Sequence, residues 1–208
     1  MREPSPAAGA AEALGSSGTN MDFELEELTH ENYEQVRKID REDVPENFVN
    51  TVDTIMELTD YGVEHGCAGH TFAVKAGDEY IGMILLGEAI PWRTDPPQMK
   101  EEPFYRLMGF VLDKRYRGLG IGGQVLERAI EAVYRDFGVR PIALGCHRDN
   151  VSAAAFYRKH GFQKTEYLET DDFYYLRYPG AEETEGPMEE AEENFFEDLS
   201  TETPDSAS

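Results

Sequence analysis

Residues 112–137 read LDKRYRGLGIGGQVLERAIEAVYRDF, and they leave an apolar, strand-like run made of Leu107, Phe110, Val111 and Leu112. Two arginines, Arg115 and Arg117, lead into Gly118, Gly120, Gly122 and Gly123. Beyond them Ile121, Val125, Leu126, Ala129, Ile130 and Val133 recur at helical spacing. Strand, glycine turn and helix start together suit an anion. Glycine lets the main chain approach a ligand closely, and the first N–H groups of a helix have no partner within it. Arginines at the rim add charge-assisted donors. The bland alternative is a flexible turn before a helix, which needs neither so many glycines nor the flanking arginines. A Walker A loop is excluded, because no Lys-Ser or Lys-Thr follows the glycines. Gly118, Gly120 and Gly123 also spell G-x-G-x-x-G, with Asp149 beyond the next strand as a ribose-binding acid, so a dinucleotide stays open at this point.

Composition narrows the partners. The 208 residues allow one domain plus tails, and the formal net charge is −23. Residues 181–208 carry eleven acids and no Lys or Arg, leaving −12 for the remainder. That balance excludes a nucleic-acid partner, which needs basic surface, and suits a cationic small molecule or basic peptide. Solubility alone is an equally good reason for it. Cys67 and Cys146 are too few for a disulfide framework and stand in no metal-ligand spacing, so no metal is expected. The most apolar run, Tyr80 to Ile90, contains Glu88 and is too short to cross a bilayer, and the N-terminus has no signal-peptide core. A cytoplasmic protein without membrane contact is expected.

Residues 1–20, rich in Ala, Gly, Ser and Pro, read as a disordered leader, with Met21 a candidate start. Phe23, Leu25 and Leu28 mark a strand; Thr29 caps a helix through Tyr33, Val36 and Ile39; a second helix runs from Phe48 to near Gly62. A hairpin turns at Ala76–Asp78, residues 91–103 form a proline-rich loop, and Phe104 to Leu112 is the strand entering the glycine turn. After the central helix come a strand from Ile142 to Cys146, a short helix opened by Asn150 and closed by Gly161, and a last hairpin around Glu169–Asp172. From residue 180 the chain is an acidic, disordered tail, with Phe195, Phe196 and Leu199 its only large apolar cluster. Residues 21–179 thus make an α/β domain with one mixed, mostly antiparallel sheet of about seven strands flanked by about four helices. That order argues against a dinucleotide fold, which repeats parallel βαβ units behind its fingerprint.

Two motifs together resemble the GNAT superfamily of acetyl-CoA-dependent N-acetyltransferases. Arg115-Tyr-Arg-Gly118-Leu-Gly120 is similar to its R/Q-x-x-G-x-G/A motif, as is Arg117-Gly-Leu-Gly120-Ile-Gly122 in a second register. Asn150-Val-Ser-Ala-Ala-Ala-Phe-Tyr157-Arg-Lys-His-Gly161-Phe162 resembles its N-x-x-A-x-x-x-Y-x-x-x-G-F helix. The resemblance spans residues 22–178 and implies acetyl transfer to a primary amine by direct attack in a ternary complex. By position it assigns the acetyl-CoA pyrophosphate to Arg115, Arg117, Gly118, Leu119, Gly120, Ile121 and Gly122, with Gly123 flanking. The pantetheine arm falls to the strand Phe110, Val111, Leu112. Asn150 would contact the cofactor from its helix N-terminus, or serve as a plain N-cap.

Tyr157 is the expected catalytic residue, because a phenol that keeps its proton suits a general acid for the departing thiolate. Its alternative role is packing, which the neighbouring Phe156 can fill. A general base is harder to name, since the strand before the glycines offers only Tyr105 and Arg106. Glu88 at the end of the preceding strand is the first expectation, His147 the second, and a water relay is open. For the acceptor, Glu42, Asp43, Trp92, Glu101, Glu102, Tyr167, Glu169, Asp171 and Asp172 fall in segments that shape it in the family. Acids with aromatics suit a cationic amine, polyamine-like or peptide. An acyl-CoA-binding domain without efficient turnover is the alternative, a nicotinamide-dependent oxidoreductase a weaker one, and a monomer or homodimer is expected.

Overall fold

The computed structural model describes residues 21–184. Seven strands run β1 (Glu24–Glu27), β2 (Gly69–Ala76), β3 (Glu79–Glu88), β4 (Tyr105–Leu112), β5 (Ile142–His147), β6 (Gln163–Glu169) and β7 (Asp172–Arg177). The helices are α1 (Tyr33–Val36), α2 (Val52–His65), α3 (Gln98–Glu101), α4 (Ile121–Phe137), α5 (Val151–Lys159) and α6 (Ala181–Thr184). The sheet order is β1-β2-β3-β4-β5-β7-β6, antiparallel throughout except for the β4–β5 pair. One parallel pair leaves no repeated βαβ unit, so the dinucleotide fingerprint lacks the fold that gives it meaning. The chain divides into a unit ending at Tyr178 and another from Pro179. The leader and the Phe195, Phe196, Leu199 cluster lie outside the described residues.

Each face of the sheet has its own core. Helix α4 buries the whole apolar stripe expected of it, Ile121 to Val133, against Phe72, Val74, Ile84 and Leu86. Alternating residues Ala73 and Met83 face the other way, onto Val36, Val52, Ile55 and Met56 of α1 and α2.

Strand β4 changes faces midway. Leu85 pairs with Met108 but Met83 pairs with Val111, so β4 carries one residue more than its partner. Tyr105 and Leu107 accordingly share the α4 face with Leu112, while Val111 joins the α1–α2 face. Gly109 makes this bulge with φ of +62°, and a Cβ there would stand 2.5 Å from the Ile55 side chain.

Two helices are shorter than their sequence suggests. Helix α1 is a single turn beginning at Tyr33, and α2 starts at Val52, not near Phe48. Thr51 caps α2 by accepting the Thr54 N–H at 3.1 Å, and Arg41 donates to the carbonyls of Val49 (2.7 Å) and Asn50 (2.6 Å). These bonds satisfy residues 41–50 as an irregular segment, which crosses the sheet between the two helices. Helix α2 continues past Gly62 to His65 and ends at the left-handed Gly66.

Candidate active site

Gly118 and Gly120 take left-handed conformations, φ +75° and +80°, and no atom lies within 4 Å of a Cβ built on either. Gly120 is also the N-cap of α4 and offers no side-chain acceptor to the first turn. Helices α2 and α5 are capped by Thr51 and Asn150, whereas the leading N–H groups of α4 are not. They open on a cavity of about 1050 Å³.

Phe110, Val111, Leu112, Arg117, Gly118, Gly120, Gly122, Gly123, Asn150 and Tyr157 line that cavity. The side chains of Leu119 and Ile121 turn into the core, leaving their main chain for any ligand. Gly123 is where α4 meets α5, for a Cβ there would stand 2.6 Å from the His160 ring. Asn150 accepts the Ala153 N–H at 3.1 Å, so it is a helix N-cap as well as a wall residue.

Arg115, expected at the pyrophosphate, is placed otherwise. It is not a lining residue; it grips the buried Asp113 carboxylate with two bonds of 3.0 Å. Burial pushes the Asp113 carboxyl up, but Arg115 and the N–H groups of Asp40 and Arg115 outweigh it and hold the acid below its ordinary range. Arg117 does face the cavity, with Nε donating to the Leu112 carbonyl (2.7 Å) and Nη1 paired to Asp43 (2.8 Å). Lys159, which sequence reading passed over, also lines the cavity, and no ion-pair partner for it exists among the described residues. Its place three residues past Phe156 on the exposed side of α5 was the available signal.

Strands β4 and β5 pair only at Tyr105–Ile142 and Arg106–Ala143, then diverge. The cleft-facing edge of β4 from Leu107 onward is left without a strand partner. A second cavity, of about 670 Å³, opens beside the cleft, and Tyr157 lines both. Its side chain is buried at 9% exposure, and no described group hydrogen-bonds its hydroxyl. Burial pushes the phenol up, with Cys146 adding to the effect, so it holds its proton throughout the neutral range.

Of the residues expected at the acceptor, Trp92, Glu169, Asp171 and Asp172 line the second cavity. Glu42, Glu101, Glu102 and Tyr167 are not among its lining residues, and Asp43 is turned to Arg117. Glu46, Asn47 and Phe48 were missed; they arrive because residues 41–50 fold across the sheet, which helix periodicity does not reveal. Arg106 lies there too, buried, paired to Asp95 at 2.8 Å and 3.8 Å beneath the Trp92 ring.

The expected bases fare differently. Glu88 lines a third recess, which adjoins the second cavity at Trp92, Arg106 and Met108; there it accepts the Ala68 N–H at 3.2 Å, and it lines neither cavity that Tyr157 lines. His147 does, but both ring nitrogens are engaged. The Asp149 N–H faces Nδ1 at 3.2 Å and the Asn47 amide nitrogen faces Nε2 at 3.0 Å, so in either neutral tautomer the ring's one lone pair is met by an N–H donor. No lone pair remains to take a proton from a substrate. Among the described residues no cluster of potential ligands could hold a metal ion, and no helix is long and apolar enough to cross a membrane.

This geometry coincides with what the chain resembles. The model of the acetyltransferase (GNAT) family matches residues 26–162, and the chain belongs to that family; it is an acyltransferase. A curated relative, N-alpha-acetyltransferase of Saccharolobus solfataricus, is 25% identical over 175 residues, 80% of this chain and 98% of its own. PaiA N-acetyltransferase from Thermoplasma acidophilum, solved with coenzyme A, superposes with a TM-score of 0.57 at 19% identity, covering 76% of this chain and 100% of that one. Spermidine N-acetyltransferase from Vibrio cholerae, solved with CoA and spermine, gives 0.54 at 15% identity over 76% and 94%. At such identities the solved structures show a shared fold. The family uses acetyl-CoA, and the residues present suit it: an uncapped helix N-terminus and two open left-handed glycines for phosphates, with an unpaired lysine nearby.

Proposed function

We propose that the chain moves an acetyl group from acetyl-CoA to the primary amine of a cationic acceptor, by direct attack while both are bound. The observation that carries this reading is that one buried, protonated phenol, Tyr157, lines both the glycine-walled cavity and the acid-walled one. Acetyl-CoA, when bound, supplies a thioester whose acyl carbon an amine can attack. The first turn of α4, with Arg117 and Lys159, holds phosphates, and the unpaired edge of β4 is available to the pantetheine arm. Tyr157 keeps a proton at its phenol oxygen for the leaving sulfur.

The acceptor cavity favours a positive charge. Glu46, Glu169, Asp171 and Asp172 line it, while the charge of its one arginine, Arg106, is answered by Asp95. Phe48, Trp92 and Met108 supply apolar wall for methylenes, which suits a polyamine-like amine or a basic peptide end. Replacement of Tyr157 by Phe tests the assignment. Turnover should fall about 10²-fold or more, with acetyl-CoA affinity by calorimetry unchanged. Undiminished turnover would remove Tyr157 from the acid role.

A further inference from the structure

The acceptor cavity contains five titratable carboxylates and imidazoles: Glu46, His147, Glu169, Asp171 and Asp172. An alkylammonium must lose a proton before it can attack, so one of these groups or solvent has to take it. Four are committed or placed otherwise. Glu46 is exposed on the irregular segment. His147 has no free lone pair, as set out above. Glu169 accepts the Thr94 hydroxyl at 2.8 Å and faces the Tyr174 hydroxyl at 3.0 Å. Asp171 is ion-paired with Arg148 at 2.9 Å.

Asp172 is the exception. Strand pairing sets it opposite His147, on the same face as Tyr174 and Gly145. Gly145 has no side chain to cover this face, and the Asp172 carboxylate lies 3.4 Å from where its Cβ would be. The carboxylate is half-buried and no described group donates a hydrogen bond to it. We infer that Asp172 is the proton acceptor of the reaction, taking the proton of the acceptor ammonium in the cavity it shares with Tyr157. This rests on the acetyl-transfer reading above. Burial raises the Asp172 carboxyl above its ordinary range, and the nearby charges of Glu169 and Asp171 add to this against the opposing pull of His147. A carboxylate so raised, with no donor to quiet its lone pairs, is a better base than a solvated one.

The protons balance. The ammonium gives one proton to Asp172, and the freed lone pair forms the C–N bond as the C–S bond breaks. The sulfur takes the Tyr157 proton, the new amide nitrogen sheds its second proton to restore the phenol, and Asp172 releases its proton to solvent.

The test is Asp172→Asn, assayed by thiol release with an alkylamine across pH and with its β,β,β-trifluorinated analogue, already neutral at pH 7. With the alkylamine, kcat/KM at neutral pH should fall about 10²-fold. Its rise with pH should move from the acid range, where Asp172 ionises, to the alkaline range, where the free amine does, and the variant should converge on the parent there. With the fluorinated amine the loss should stay within about threefold, because no proton need be removed before attack. Asp172→Glu should retain the acid-range rise, and calorimetric acetyl-CoA affinity should be unchanged in both variants. An equal loss with both amines, or an acid-range rise that persists in Asp172→Asn, would overturn Asp172 alone. Absence of thiol release with every amine in the unsubstituted protein would overturn the acetyl-transfer reading and this inference together.

Discussion

Gly109 sets the face on which the end of β4 lies. Its positive φ lets β4 take an extra residue, which turns Phe110 and Leu112 towards α4, and Phe110 lines both cavities. An alanine here would meet two costs: a left-handed conformation of about 1–2 kcal/mol and an overpacked contact with Ile55 of about 1–3 kcal/mol. Gly109→Ala should therefore lower stability by about 2–5 kcal/mol, read as a lower denaturant midpoint at constant m-value. Ile55→Val added to it should recover part of the loss. A neutral Gly109→Ala would mean that the bulge is not held by this contact. A glycine inside the run Leu107 to Leu112 is a legible sign of a bulge. The residue it would strike, 54 positions earlier, is not. Straight alternation from Leu107 puts Val111 on the α4 face, and only the register shift reveals Leu112 there instead.

Among the elements, the irregular segment of residues 41–50 links donor and acceptor sides. Asp43 holds Arg117 at the glycine cradle, while Asn47 and Phe48 at its other end lie against His147, the ring pair 4.9 Å apart. Asp43 occupies a guanidinium edge that a pyrophosphate would want, and adds a like charge beside it. Asp43→Asn should tighten acetyl-CoA binding about two- to fivefold at low ionic strength, since the pair is partly exposed and such pairs are worth at most about 1 kcal/mol. The gain should shrink as salt screens it. Calorimetry that found weaker binding would instead make the pair part of the cradle. Regular elements were legible here because α4 and the strands carry clean periods. This segment was not, because Arg41 and Thr51 hold it by bonds to the main chain and a cap, which leave no pattern in the sequence.

Over the whole molecule, two stretches separated by a strand converge on one phenol. The turn Gly118–Gly123 and the helix from Asn150 to His160 form opposite walls, and Tyr157 sits where the parallel pair β4–β5 parts. The residues expected on the donor side lie in contiguous motifs, and most of them line one cavity. The acceptor side could not be read in that way, because its walls come from six separate segments that only the fold assembles. Glu88 illustrates this: as the last residue of β3 it does pair with Tyr105 of β4, yet its carboxylate is turned to the Ala68 N–H and lines a recess that Tyr157 does not reach. Asp172, three residues from the strand partner of Lys164, was legible only as one acid among several.

The central claim is that the cavity joined at Tyr157 transfers acetyl groups to cationic amines. It is tested most directly by thiol release from acetyl-CoA across a panel of di- and polyamines, basic peptides and acidic or neutral amines of matched size. The account predicts release that depends on the amine, is greatest with the cationic members and falls with Tyr157→Phe. Saturable acetyl-CoA binding without thiol release from any amine would contradict it.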